Sequence, residues 1–205
     1  MINRHSNLLI PEKLLKMKAQ MGGVFSTADL FHVIAAPSRL TNMRKIKKMV
    51  EAGILTHCCR EYYVTSDFDL WTLATRLVPK GYISLDSILA KRQLVGTGSD
   101  SHVSVVAVHS PHKVLTVQGK TLTVYSIAQN LFFGFASTPA CTVEADTEKA
   151  FLDLLYYYNR GHRFTFDPLV EVRLNKLNFK KLRLYLKKYQ NPKFVKFVQG
   201  VIHEY

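Results

Sequence analysis

The chain has 205 residues, 47% of them hydrophobic, enough to bury a core and too apolar for a disordered polymer. No apolar run nears the ~20 residues of a membrane span, and the opening MINRHSNLLIPEK holds no apolar stretch of the secretory-signal kind. The net charge of +13 is uneven: residues 1–66 carry 10 Lys/Arg against 4 Asp/Glu, residues 67–159 carry 7 against 8, and residues 160–205 carry 11 against 3. Two basic ends flanking a near-neutral middle imply a polyanionic partner, because each phosphate contact releases condensed counterions.

Residues 11–21 predict an amphipathic helix with Leu14, Leu15, Met17 and Met21 as its apolar positions. Pro11 suits a first helical turn, and Gly22 and Gly23 end the helix. Residues 25–65 then read as helix, turn, helix and β-hairpin. Ser26 or Thr27 caps a helix over 28–34, which Ala36 and Pro37 end because a residue before proline is pushed out of the α region. Ser38 caps a second helix over 39–52. At about 100° per residue, Leu40, Met43, Ile46 and Val50 share one face, and Thr41, Arg44, Lys45 and Lys48 the other. Gly53 supplies the stop, and residues 54–58 and 61–65 form two strands about a turn at Cys59 and Arg60. This is the order of a winged helix-turn-helix.

Residues 67–78 predict another helix, with Leu70, Leu73, Ala74 and Leu77 inward, broken by Pro79, Lys80 and Gly81. The break divides the chain into a winged helix-turn-helix domain, 1–79, and a second domain, 80–205. In the latter, Ser84 caps a helix carrying Ile88, Leu89 and Leu94 inward, and GTGSDS over 96–101 is a loop without the Lys of a phosphate-binding Walker pattern. Residues 103–126 predict a three-stranded meander with a turn at Gln118, Gly119 and Lys120, followed by a buried apolar segment, LFFGF, at 131–135. Residues 147–159 form a strong helix, capped by Asp146 or Thr147, with Ala150, Phe151, Leu154, Leu155 and Tyr158 inward. Two basic helices, 175–189 and 192–203, close the chain. The predicted class is α+β: an N-terminal winged helix-turn-helix, then a mixed α/β domain with a small antiparallel sheet and C-terminal basic helices.

Catalytic patterns are weak. Asp146, Glu148 and Lys149 in ADTEKA mimic the cluster of metal-dependent nucleases, but they open a helix, where acidic residues meet the dipole favourably. His102, His109 and His112 lack zinc-site spacing and are expected to be exposed near a hairpin. No GxSxG occurs. The three cysteines, Cys58, Cys59 and Cys141, form no CxxC, and neighbours on a strand point to opposite faces, so neither a disulfide framework nor a zinc site is expected. No enzymatic activity, cofactor or metal is predicted, and a reduced cytoplasmic location fits.

Three stretches carry a resemblance to a known family: AGILTHCCREYYV ending the hairpin, GYISLDSILAKRQLV, and LFFGF followed by ADTEKAFLDLLYYY. Across residues 10–160 the chain resembles the AbiEi family of antitoxins, from the bacterial abortive-infection toxin–antitoxin systems classed as type IV. The segment from Glu148-Lys149-Ala150 through Asp153 is the most specific part. The resemblance implies a winged domain that binds inverted repeats in its own promoter and represses the operon, and a second domain that neutralises a cognate nucleotidyltransferase-like toxin. The chain departs from the family in having Cys58, Cys59 and Arg60 where a more basic wing is expected.

The expected DNA contacts are Ser38, Arg39, Thr41, Asn42, Arg44, Lys45 and Lys48 on the recognition helix, and Arg60 on the wing, with the protein monomeric or weakly dimeric on its operator. Arg39 and Asn42 are the candidates for base readout, since Arg suits guanine and Asn adenine. Lys176, Lys180, Lys181, Arg183, Lys187 and Lys188 form a basic tail for nucleic acid or a partner. The competing expectation is an interaction protein without DNA binding, whose winged helix and tail bind an acidic protein or RNA.

Overall fold

The computed structural model describes residues 5–96 and 100–203, and within them the chain is α+β, with eight α-helices and nine strands. Residues 1–4 of the opening stretch and 97–99 of the GTGSDS loop lie outside the described residues. Two compact units divide between Leu73 and Ala74, ahead of the predicted break at Pro79, Lys80 and Gly81.

In the first unit α1 (His5–Met21) precedes β1 (Val24–Ser26), α2 (Thr27–Ile34), α3 (Arg39–Glu51), β2 (Thr56–Cys59) and β3 (Tyr62–Val64). Because α1 begins at His5, Pro11 is internal to it and does not open it. Gly22 and Gly23 both take positive φ, where a side chain would collide with Thr72 and Thr65 respectively. The strands form an antiparallel sheet in the order β1-β3-β2. Phe25, Leu30, Val33, Ile34, Ile46, Leu55 and Tyr63 close the core together with Ile10 and Leu14. Leu15, one of the predicted apolar positions of the amphipathic helix, is exposed.

The second unit begins at the midpoint of α4 (Leu70–Leu77), followed by β4 (Gly81–Ile83), α5 (Leu85–Lys91), β5 (His102–Val108), β6 (Lys113–Val117), β7 (Lys120–Ile127), β8 (Phe135–Ser137), β9 (Val143–Ala145), α6 (Thr147–Asn159), α7 (Phe179–Leu186) and α8 (Pro192–Val201). The predicted small antiparallel sheet is replaced by a six-stranded mixed sheet in the order β6-β7-β5-β4-β9-β8. Only β6 and β7 form the expected hairpin, and its turn residues Gln118 and Gly119 both have positive φ, as a tight two-residue connection requires. β5 pairs with β7 in parallel, so residues 109–112 carry the chain past β7 to the sheet edge. β4 went unpredicted because Gly81 and its neighbours read as a break; it pairs antiparallel with β5 and parallel with β9.

Helix α6 packs against α5, α7 and α8 and is therefore buried nearly all round, polar residues included. Tyr157 lies inside in place of the predicted Tyr158. The LFFGF segment is half-buried beyond Leu131, correcting the expectation of a buried core segment. Its Gly134 has φ +75, and an added Cβ would meet Lys149 Cβ at 3.0 Å and Tyr185 Cε2 at 3.1 Å.

Candidate nucleic-acid interface

The turn between α2 and α3 is built from backbone-seeking side chains. Ser26 caps α2 in a reciprocal box with Asp29, and α2 ends at Ala35 in the left-handed region. Ser38 Oγ accepts from Thr41 N–H at 3.1 Å and lies 2.9 Å from Thr41 Oγ1, so both hydroxyls take part in fixing the start of α3. Asn42 completes the turn: its Oδ1 accepts from Ala36 N–H at 3.1 Å, and its Nδ2 donates to Ala36 O at 3.4 Å.

Asn42 is 6% exposed, which corrects its assignment to the DNA-facing side: its amide is consumed inside the turn. The helix is rotated relative to the predicted wheel. Asn42 and Ile46 are buried, while Leu40 and Met43, predicted to face the core, are 61% and 38% exposed. The outward face therefore carries Leu40, Met43, Arg44, Lys47 and Lys48, with Arg39 exposed and Lys45 half-buried at its margins. Sequence reasoning missed Leu40, Met43 and Lys47; the signal was present in Asn42, whose i, i+4 relation to Ile46 defines the alternative inner stripe.

Charge on this face is poorly compensated. Lys47 pairs with Glu51 at 3.7 Å, whereas Arg39, Arg44, Lys45 and Lys48 form no ion pair among the described residues. The first turn of α3 has no acidic residue, so the positive end of the helix dipole adds to Arg39 instead of being offset. A cleft of ≈ 390 Å³ between α3 and the hairpin is lined by Met43, Arg44, Lys47, Val50, His57 and Tyr63. The hairpin turn lies at Arg60 and Glu61, one residue later than predicted. Arg60 has φ +47 and is exposed, and its carbonyl accepts from His57 Nε2 at 2.8 Å.

In the second unit the nuclease-like trio is structural. Asp146 caps α6 by accepting from Lys149 N–H at 2.9 Å, and also accepts from Tyr185 OH at 2.7 Å. Glu148 accepts from Asn178 N–H at 2.9 Å. Lys149 and Asp153 are both fully buried, 2.5 Å apart. Asp153 also accepts from Tyr82 OH at 3.0 Å and Ser84 Oγ at 2.7 Å, while Lys149 lies 4.7 Å from the centre of the Phe133 ring. Burial pushes the Asp153 carboxyl above its ordinary range, against the pull of Lys149. Ser84, predicted to cap α5, makes no capping bond because its hydroxyl serves Asp153.

The basic tail is only partly available. Lys181 pairs with Asp146 at 3.0 Å and with Glu148 at 3.3 Å, Lys176 donates to Gln93 O at 3.2 Å, and Lys188 lies 4.0 Å from the Phe133 ring centre. Lys180 and Lys187 form no ion pair among the described residues, and Arg183 lies over Phe179. His102 is not the exposed residue predicted: it is bound to Asp86 at 3.0 Å and to Thr123 at 3.1 Å. Among the described residues, no group of three or more His, Cys, Asp or Glu is placed to hold a metal ion, and no helix is long and apolar enough to cross a membrane.

No protein-family model matches the chain, and no curated protein does. Among solved structures it is similar to the RV2827C protein from Mycobacterium tuberculosis, whose crystal structure aligns with a TM-score of 0.59 over 91% of this chain and 73% of that one. The two sequences are 11% identical, so the likeness is one of fold.

Proposed function

We propose that the first unit is a winged helix-turn-helix that binds DNA through α3, with the β2–β3 hairpin as its wing. The observation that carries this reading is the exposed face of α3, where Arg39, Arg44, Lys45 and Lys48 lack acidic partners among the described residues and Leu40 stands solvent-exposed between them. Free cations beside a helix start suit phosphates, and an exposed aliphatic side chain suits a thymine methyl. Arg39 remains the candidate for base readout; Asn42 does not. Arg60, at the tip of the hairpin, touches the sugar-phosphate backbone.

Joined to the AbiEi resemblance, this gives a cytoplasmic autorepressor and antitoxin. It recognises an inverted repeat in its own promoter as a monomer or weak dimer, and it neutralises a nucleotidyltransferase-like toxin encoded beside it. The chain is not an enzyme in this reading. A mobility shift of the purified protein on its own upstream DNA, against scrambled DNA at two salt concentrations, tests it. Preference for the upstream DNA, weakening with salt, is the expected result; equal weak binding to both DNAs would overturn operator recognition.

One observation favours the competing interaction reading. A cavity of ≈ 420 Å³ between α7 and α8 sets Arg183, Lys187 and His203 around Leu186, Val195 and Ile202. An apolar floor with a cationic rim suits an acidic protein segment better than nucleic acid. Saturable binding of the neighbouring gene product, lost in Lys187→Glu, is the expected result for that reading.

A further inference from the structure

In a regular strand the side chains of Cys58 and Cys59 would point to opposite faces. The structure corrects that expectation. The register of β2 against β3 shifts between His57, opposite Tyr63, and Cys59, opposite Tyr62, so Cys58 is the extra residue of a β-bulge. Arg60 follows in the left-handed region. With alternation interrupted, the two sulfurs lie 3.9 Å apart, and both thiols are half-buried. Cys141, the remaining cysteine, is exposed in the other unit.

A sulfur separation of 3.9 Å is far longer than the ~2.05 Å of a disulfide. It is close to the ~3.8 Å spanned by two thiolates each bonded at ~2.3 Å to one tetrahedral ion. The geometry points to Cys58 and Cys59 as a two-thiolate chelate for a thiophilic ion, of the class of trivalent arsenic and soft metal cations, seated at the bulge of the β2–β3 hairpin. Soft sulfur donors select such ions over the harder cations that oxygen ligands take. The site stands independently of DNA binding, since it rests on sulfur geometry alone.

With an organic arsenic(III) oxide the reaction balances without an oxidant. Two S–H bonds and the arsenic–oxygen bond break, two arsenic–sulfur bonds form, and both protons leave with the oxygen as one water. No electrons are transferred. The short link between the thiols means that the second bond closes intramolecularly, which gives the chelate its advantage over any single thiol.

The test uses phenylarsine oxide on the reduced full-length protein, with intact mass measured after a challenge by excess 2-mercaptoethanol. The expected result is one phenylarsine per chain, retained in the monothiol and released by a dithiol. Cys58→Ser and Cys59→Ser should each lose that retention, and Cys141→Ser should keep it, with far-UV circular dichroism confirming that all variants are folded. Loss of the adduct from the wild type as readily as from Cys58→Ser would overturn the proposal, and so would retention that depends on Cys141.

Discussion

Asn42 holds Ala36 through both ends of its side-chain amide, accepting from the Ala36 N–H and donating to its carbonyl across the turn that aims α3. A residue type suited to reading adenine is thus committed to positioning the helix. Asn42→Ala leaves the backbone groups of half-buried Ala36 without these partners. The expected cost is about 1–3 kcal/mol of unfolding free energy, read by urea denaturation. Any fall in DNA affinity should be uniform across sequences; a change confined to one base pair of the operator would return Asn42 to base readout.

Arg44 and Lys48 project from the outward face of α3 without acidic partners among the described residues. Arg44→Ala with Lys48→Ala should leave the thermal midpoint nearly unchanged while weakening binding to all DNAs. The slope of log affinity against log salt should fall by roughly two contacts' worth, about 0.9 for each phosphate lost. Fluorescence anisotropy across a salt series gives that slope directly, and an unchanged slope would place the interface elsewhere.

Lys149 and Asp153 form a fully buried pair. Lys149→Met strands a buried carboxylate, at a cost of about 3–5 kcal/mol near neutral pH. The double variant Lys149→Met, Asp153→Leu should recover only part of it: the charge that needs a partner is gone, but the buried hydroxyls of Tyr82 and Ser84 lose their acceptor. Burial raises the folded-state pKa of Asp153 above its unfolded value, and losing Lys149 raises it further. A raised folded-state pKa gives stability that is full below the unfolded value and lost as pH rises through the folded one. The deficit of Lys149→Met relative to wild type should therefore shrink as pH falls toward about 4, the unfolded carboxyl range. Urea unfolding at several pH values measures it, and a pH-independent deficit would count against the charge argument.

His162 sits against His112, Tyr125 and Tyr157. Partial burial, followed by repulsion from His112 and Arg160, holds its pKa below the ordinary 6.5. A depressed folded-state pKa gives stability that is present above the unfolded value and lost as pH falls through the folded one. The melting temperature of the wild type should therefore drop more steeply between about pH 7 and about pH 5 than that of His162→Gln. Calorimetric scans of the two proteins compare the slopes, and equal slopes would remove His162 from the acid response.

Local signals were the legible ones. The caps at Ser26, Ser38 and Asp146 and the helices they open follow from short polar side chains placed before apolar periodicity. The rotation of α3 was misread because Leu40 and Met43 were weighted as core by hydrophobicity alone; Asn42 displaces them because a polar group with both amide ends satisfied can be buried. Strand order was not legible, since the β5–β7 and β4–β9 pairings are parallel and non-local, and nothing in a strand's own pattern names its neighbour. The bulge that turns Cys58 toward Cys59 was hidden for a related reason: an inserted residue shows only against the strand that it faces. The depth of the Glu148, Lys149 and Asp153 cluster follows from the helices that surround α6, two of which come later in the chain.

The position of β4 between β5 and β9 bears on how the chain is made. Synthesis delivers β4 and β5 together, but the strand that covers the other edge of β4 at Ile83 arrives only with Glu144. Until then a nascent chain on the ribosome presents an open sheet edge, and without α6 the hydroxyls of Tyr82 and Ser84 lack the Asp153 carboxylate that accepts from both. The covering of β4 and the pairing of the two hydroxyls are thus completed within one short stretch of translation, from Glu144 to Asp153. A pause before that stretch lengthens the time in which this edge of β4 is open to another chain.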